Sequence, residues 1–178
     1  MATTDLYFIM EEKQPAKTEA LLTLLNVGTS EAPDWAPLGI RVTSSNTEMD
    51  WQKEEVVDII GNVYANIKKP IITQNFDAWT VNGGDRAQQR LWNLGIRKQD
   101  TSALQAQDIL RVHFYAGSEE APFAERYNSS TILINSFGGE GGGNLAMPIT
   151  ITYGGTRTTG TAKSANGKIT FTPDTTTT

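Results

Sequence analysis

The sequence predicts a mainly β protein with one short helix, and three observations support that class. DILRVHFYA (108–116) alternates Leu110, Val112 and Phe114 with Arg111, His113 and Tyr115, the period of two that puts successive side chains on opposite faces of a strand. STILINSF, MPITITY and KITFT repeat the pattern. The segments between them have hairpin chemistry: GGEGGGN at 138–144, Gly154-Gly155, and Asn166-Gly167, a pair suited to the two positive-φ positions of a type I′ turn. Twelve threonines from Thr150 onward add β-branched side chains that fit a pleated surface.

Upstream, LLTLLNVG (21–28) reads as a strand ended by Gly28, and WAPLGIRV (35–42) as a second strand after the turn-rich TSEAPD. YANIKKPIITQNFDAWTV (64–81) supplies one or two more, broken near Pro70 because proline has no N–H for a ladder. The helix lies at about 85–94 in GGDRAQQRLWNLG. Asp85 caps it with Gln88 three residues on, Ala87, Leu91 and Leu94 form its apolar stripe, and Gly95 suits the C′ position. Residues 1–17 mix charge, a short apolar run and Pro15 and read as an extended arm that orders against a partner; 18–173 form the β domain and 174–178 a polar tail.

The 178 residues fit one domain, with 20 acids against 15 bases and a net charge of -5. Residues 1–60 hold eleven acids and four bases (net -7), leaving nine acids and eleven bases (net +2) for 61–178. That field disfavours a protein that grips nucleic acid. The absence of cysteine rules out disulfides and thiolate metal sites. MATTDLYFIMEEK lacks a basic leader, its apolar run is short, and no stretch reaches membrane-spanning length, so a soluble cytoplasmic product is expected.

An acidic ribbon or loop at about 43–62 contains EMDWQKEEVVDIIG (48–61). As a strand it is two-sided: Glu48, Asp50, Gln52, Glu54 and Asp58 on one face, interrupted by Val56, with Met49, Trp51, Val57 and Ile59 on the other, apolar face, expected to point inward. A helix capped at Asn46 or Thr47 and ended by Gly61 is the alternative. The acidic face reads as solvated. Trp35, Trp51, Trp79 and Trp92 are expected in the core or at subunit interfaces.

Catalytic chemistry is sparse. His113 is the single histidine and has no second histidine or cysteine with which to build a metal shell or relay. FGGEGGGN is followed by neither Lys-Ser nor Lys-Thr, nor by a helix, so it reads as a hairpin loop and not a phosphate loop. Glu54-Glu55 and Glu119-Glu120 could serve a hydrolase only if their spacing in the fold suited a dyad. Lys68-Lys69 and Arg97-Lys98 are isolated basic doublets suited to acids on a neighbouring copy. Extended strands with edges to protect make self-assembly the first reading, with a carbohydrate-binding β-sandwich as a rival.

The order of segments, LLTLLNVGTSEAPDWAPLGIRVTSSNTEMDWQKEEVVDIIG, then the strand to NFDAWTVNGGD, the helix RAQQRLWNL, DILRVHFYA and the closing Thr-rich hairpins, resembles a major tail tube protein of long-tailed bacteriophages. NVGTSEAPDWAPLG and TGTAKSANGKITFTP are the most telling stretches, and the resemblance spans roughly 18–174. The family is related in fold to the inner-tube proteins of contractile tails and type VI secretion systems. The acidic arm and the glycine-rich 138–143 depart from the family pattern, and the immunoglobulin-like surface domain of some relatives has no counterpart here.

The resemblance implies a β-sandwich or split barrel flanked by a short helix. Six copies join their inner sheets into a ring with a continuous inner β-barrel, and the rings stack head to tail into a tube. It further implies no enzymatic activity, no cofactor, and residence in the virion tail after assembly in the host cytoplasm. The implied partners are other copies, a tape-measure protein, a terminator and tail-tip proteins, with double-stranded DNA passing through unbound. Glu48, Asp50, Glu54 and Asp58 then become lumen-facing candidates, in a ring of net charge 6 × (-5) = -30. Trp51, Lys53, Lys68, Lys69, Arg97 and Lys98 become candidates for contacts between subunits.

Overall fold

The computed structural model describes residues 5–175. In chain order the elements are β1 (Leu21–Asn26), β2 (Trp35–Pro37), β3 (Ser45–Asp50), β4 (Glu54–Val57), β5 (Val63–Asn66), β6 (Ile71–Phe76), α1 (Arg86–Trp92), a π-helical turn (Asn93–Arg97), α2 (Thr101–Leu104), β7 (Gln107–Gly117), β8 (Pro122–Ile134), β9 (Ile149–Thr152), β10 (Arg157–Ala165) and β11 (Lys168–Pro173). Nine strands form one curled sheet in the order β2-β1-β7-β8-β9-β6-β3, with β10 and β11 branching from β8, while β4 and β5 pair only with each other. This is the mainly β, split-barrel architecture expected of the chain.

β8 organises the sheet because it is long enough to take three partners. One edge pairs with β7; the other pairs first with β10, through Phe123 to Tyr127, and then with β9, through Thr131 to Ile134. Gly154-Gly155 is therefore not the hairpin turn expected from the sequence. It is the corner at which the chain leaves one stretch of β8 for another, and it runs so close that a Cβ on either glycine would lie 2.8 Å from the Ser129 backbone. Asn166 and Gly167, at φ 51° and 74°, do form the expected two-residue turn between β10 and β11.

Both faces of β1, β7 and β8 are covered. Leu25, Ile109, Tyr127 and Ile132 face the inside of the curl, with Phe76, Ile149 and Ile151 from the opposite wall and Trp79 and Leu91 as plugs. Leu24, Leu110, Val112 and Ala124 face the other way, under Trp35, Ala162, Ile169 and Phe171. The Arg111 face of β7, polar by sequence, is thus as interior as its apolar face, and Arg111 is only 3% exposed.

The helix begins as expected, with Asp85 accepting from the Gln88 N–H at 3.0 Å. The Gln88 side chain does not complete a capping box; it accepts from Asn82 N–H and donates to Thr80 O, tying the helix to the preceding strand end. Gly95 is not a C′ residue. The helix runs on through the π turn to Arg97, and the left-handed position falls at Gln99, φ 51°. Glycine is needed at 95 for close approach, since a Cβ there would lie 2.3 Å from Ile134 Cδ1.

A tighter contact sets the β10–β11 pairing, where a Cβ on Gly160 would lie 2.1 Å from Thr172 O and 2.8 Å from Pro173 Cα. Gly160→Ala is expected to force β11 off its register and destabilise the fold by about 1–3 kcal/mol, the usual cost of overpacking. A urea midpoint equal to that of the parent chain would refute this.

Candidate assembly surface

The acidic ribbon is strand and not helix, but it is not one strand. β3 stops at Asp50, Gln52 takes φ 46°, and β4 starts a separate hairpin with β5. On β3 the expected sides hold, with Glu48 and Asp50 outward and Met49 beside Ile72, yet Met49 and Trp51 stay half-exposed, Val57 is exposed, and Ile59 is 104% exposed. The hairpin pairs with no strand of the curled sheet among the described residues, and both its strands are exposed throughout. Asp58 organises its turn, accepting from Ile60 N–H, Asn62 N–H and Asn62 Nδ2 at 2.9 Å each and from the Tyr64 hydroxyl at 3.2 Å. The Asn62 backbone hydrogen bond, followed by the others, holds the Asp58 carboxyl below its ordinary range.

Beneath the hairpin root lies a cavity of about 660 Å³ whose lining includes Met49, Trp51, Lys69, Tyr153, Glu125 and Arg157. Glu125 is its buried centre. Its Oε1 accepts from His113 Nε2 at 3.1 Å and lies 3.5 Å from Arg111 Nη1; its Oε2 accepts from Arg157 Nε at 2.8 Å and from the Tyr127 hydroxyl at 3.1 Å. Arg111 lies over the Tyr153 ring at 5.1 Å and donates through Nη2 to Thr47 Oγ1 on β3, across the open side of the barrel. Burial pushes the Glu125 carboxyl up, but hydrogen bonds from His113 and Arg157 and the charges of Arg111 and Arg157 outweigh it and hold it at about 2. Burial, joined by the Glu125 charge, pushes the Tyr127 hydroxyl up.

One wall of the curl is a four-stranded sheet of β3, β6, β9 and residues 131–134 of β8. Alternation gives it an outward face of Asn46, Glu48, Asp50, Ile71, Thr73, Asn75, Thr150, Thr152, Thr131 and Leu133, with acids but no base. Thr150 donates to Asn75 Oδ1 at 2.7 Å and accepts from Asn135 Nδ2 at 2.8 Å. Both edges of this wall lack a strand partner among the described residues: the side of β3 away from β6, and the side of 131–134 away from β9, because β7 pairing ends at Ser130. Edges of this kind need a cover or a partner.

Of the acids singled out in the sequence, Glu48 and Asp50 share this outward face, Glu54 lies on the exposed hairpin, and Asp58 is engaged in its turn. Lys53 pairs with Glu55 on the same hairpin at 2.5 Å. Trp51 and Lys69 line the root cavity, Lys68 donates its N–H to Trp51 O, and Arg97 and Lys98 are exposed at the end of the π turn. The sequence reading missed Glu125, Arg111 and Arg157; the available signal was the pair of charges placed inside long alternating strands. Residues 7–9 of the arm lie along the end of β7, through Ile9 N–H to Tyr115 O (3.0 Å) and Gly117 N–H to Tyr7 O (3.1 Å). Residues 7–9 are thus paired within the chain, while residues 1–4 of the arm lie outside the described residues.

No protein-family model and no curated protein matches the chain. Among solved structures it is similar to the sheath/tube terminator of an extracellular contractile injection system (PVC) in its extended state, with a TM-score of 0.51 at 13% identity over 83% of this chain and 98% of that one. The chain shares the fold of that tube terminator. Lower scores relate it to a chain of the PVC sheath-tube complex (TM-score 0.49, 11% identity, 84% and 94% covered) and to the anti-feeding prophage tube-terminating cap (0.48, 18%, 86% and 95%). The fold shared with the terminator agrees with the fold expected from the sequence resemblance, without singling out long-tailed phages over contractile systems.

Two expected outcomes follow from the geometry. Glu125 has a folded pKa below its ordinary 4.5, so its stabilisation is present above that value and is lost as pH falls from about 4.5 toward about 2. Glu125→Gln should cost about 3 kcal/mol at pH 7, as for a broken buried ion pair, and flatten the acid limb of a stability-versus-pH curve; an unchanged limb would refute the assignment. Asp58→Ala should speed amide exchange at Ile60 and Asn62 while leaving the global unfolding midpoint unchanged.

Proposed function

We propose that the chain is a structural subunit that polymerises into a tail-like tube. The observation that supports this best is the four-stranded wall with two unpartnered edges and a base-free outward face. Pairing β3 of one copy with residues 131–134 of the next satisfies both edges at once, and repetition of that heterologous contact around an axis closes a barrel without free edges. Six copies per ring, as the sequence resemblance implies, and stacked rings complete the tube. The outward face of the wall then lines the bore with threonine, asparagine and the carboxylates of Glu48 and Asp50.

Such a wall passes a polyanion without holding it. DNA presents a charge about every 1.7 Å, and like-charge repulsion extends about 8 Å at physiological salt. The tube is then a passive conduit for DNA ejection from a phage tail, with a tape-measure protein, a terminator and tail-tip proteins as partners. The second reading, the inner tube of a contractile or type VI-like system, is favoured by the fold shared with an injection-system tube terminator.

Negative-stain microscopy of the concentrated protein should show rings or tubes, and a monodisperse particle of about 20 kDa at every concentration would reject the proposal. The Glu48→Lys/Asp50→Lys double variant should still assemble but retain duplex DNA in a salt-dependent manner, whereas tubes of the parent chain should not. Equal DNA retention by both would place these carboxylates outside the bore.

A further inference from the structure

Two Asn-Gly pairs occur in the chain, Asn82-Gly83 and Asn166-Gly167, and the fold holds them differently. Asparagine is a thermolabile residue, most so before glycine, which has no Cβ to keep its nitrogen away from the neighbouring carboxamide. How firmly each asparagine is held then decides which pair reacts.

Asn82 is tied at both ends of its side chain. Its Nδ2 donates to Thr80 O at 2.7 Å and its Oδ1 accepts from Arg41 Nη1 at 3.3 Å, while its main-chain N–H donates to Gln88 Oε1 at 2.8 Å. Turning the carboxamide toward the Gly83 nitrogen breaks both side-chain bonds, and that cost holds the reactive atoms apart.

Asn166 has no such restraint. With Gly167 it forms the exposed turn between β10 and β11, at φ 51° and 74°. Neither the Asn166 carboxamide nor the Gly167 N–H has a hydrogen-bond partner among the described residues, and a Cβ on Gly167 would meet nothing within 4 Å. Lys163, Ser164, Ala165 and Lys168 are exposed too; packing against the core resumes only at Ala162 and Ile169. Opening the tip at the Ala165–Lys168 pair therefore uncovers no apolar surface, and such local openings are frequent.

We propose that Asn166 is a site of selective spontaneous deamidation, with water as the co-reactant, and that the fold protects Asn82 from the same reaction. With the tip open, the Gly167 nitrogen gives its proton to solvent base and attacks Asn166 Cγ. The N–Cγ bond forms as the Cγ–Nδ2 bond breaks, Nδ2 leaves as ammonia, and a cyclic succinimide remains. Water then opens the ring at either carbonyl. Opening at Cγ restores the main chain with aspartate at 166. Opening at the main-chain carbonyl breaks its bond to the Gly167 nitrogen and leaves isoaspartate, with an extra methylene in the backbone. A two-residue turn has no slack for that methylene, so the product unpairs Ala165 from Lys168, while Gly160 at the far end of the hairpin keeps its close contact with Thr172. Either product adds one negative charge to a chain of net -5. The inference is independent of the tube reading.

The full chain, held at mildly alkaline pH and sampled over time, tests this by peptide mapping in a mass spectrometer, with aspartyl and isoaspartyl forms resolved by chromatography. The amide-to-acid mass increment should accumulate at Asn166 at least about tenfold faster than at Asn82, since one site opens freely and the other only against its hydrogen bonds. In guanidinium chloride, with both sites unfolded, the two rates should converge. Equal rates in the folded chain, a faster Asn82, or a ratio that survives unfolding overturns the proposal. A product containing aspartate and no isoaspartate overturns the succinimide route. Arg41→Ala should raise the rate at Asn82 and leave that at Asn166 unchanged; an Asn82 rate that does not move overturns the protection assigned to its hydrogen bonds.

Discussion

The arrangement of the sheet depends on a carboxylate taken out of water. Glu125 sits within the stretch of β8 that pairs with β7 on one side and β10 on the other, and its hydrogen-bond partners come from β7, β8 and β10. A buried charge is tolerated only when its lone pairs are filled, so Glu125 fixes the relative height of three strands. Through Arg111 the same centre reaches Thr47 on β3, the far end of the curl, across a gap that no main-chain hydrogen bond spans among the described residues. Gln74 extends the polar interior on the opposite wall, accepting from Thr23 Oγ1 at 3.2 Å and from the Tyr153 hydroxyl and donating to Ser45 Oγ at 3.0 Å. A split barrel held by side chains across its gap keeps its curvature while leaving its edge strands free.

That freedom distinguishes this chain from a self-contained β-sandwich. The hydrophobic residues divide into two populations. Leu25, Ile109, Trp79, Ile132 and Ile151 are wholly buried, whereas Ile59, Ile60, Val57, Val63 and Ile67 are exposed together on and beside one hairpin. Clustered exposed aliphatic groups on a soluble chain mark a surface that acquires a partner. The wall with its Thr/Asn face behaves differently: its side chains bond to one another, as in Asn135–Thr150–Asn75, and it has neither the apolar area of an interface nor the charge of a binding site. Such a face between two unpartnered edges is what the proposed tube requires of its bore.

Much of this was legible in the residues. The Asn166-Gly167 turn, the Asp85 cap, the break at Pro70 and the alternating strand at 108–116 follow from local chemistry: φ preference, a side-chain acceptor, a missing N–H and a period of two. The errors have one origin. Gly95 was assigned to a helix end and Gly154-Gly155 to a hairpin because glycine signals permissive backbone; in both cases its role is to let another segment, Ile134 or Ser129, come close, and no local pattern reports the neighbour. Met49 and Trp51 take the inward side yet stay half-exposed, since alternation defines two faces without saying how much lies beneath either.

The sequence by itself determined the class of the fold, most of its turns and the acidic character of the 48–58 segment, because these depend on residues close together in the chain. Tertiary structure decided the rest: that Arg111 and Glu125, fourteen positions apart, neutralise each other inside the curl, that β8 serves three partners, and that two edges and one exposed hairpin are left over. Charge pairing, strand partnership and exposure are relations between distant segments, and they acquire values only when the chain has closed on itself.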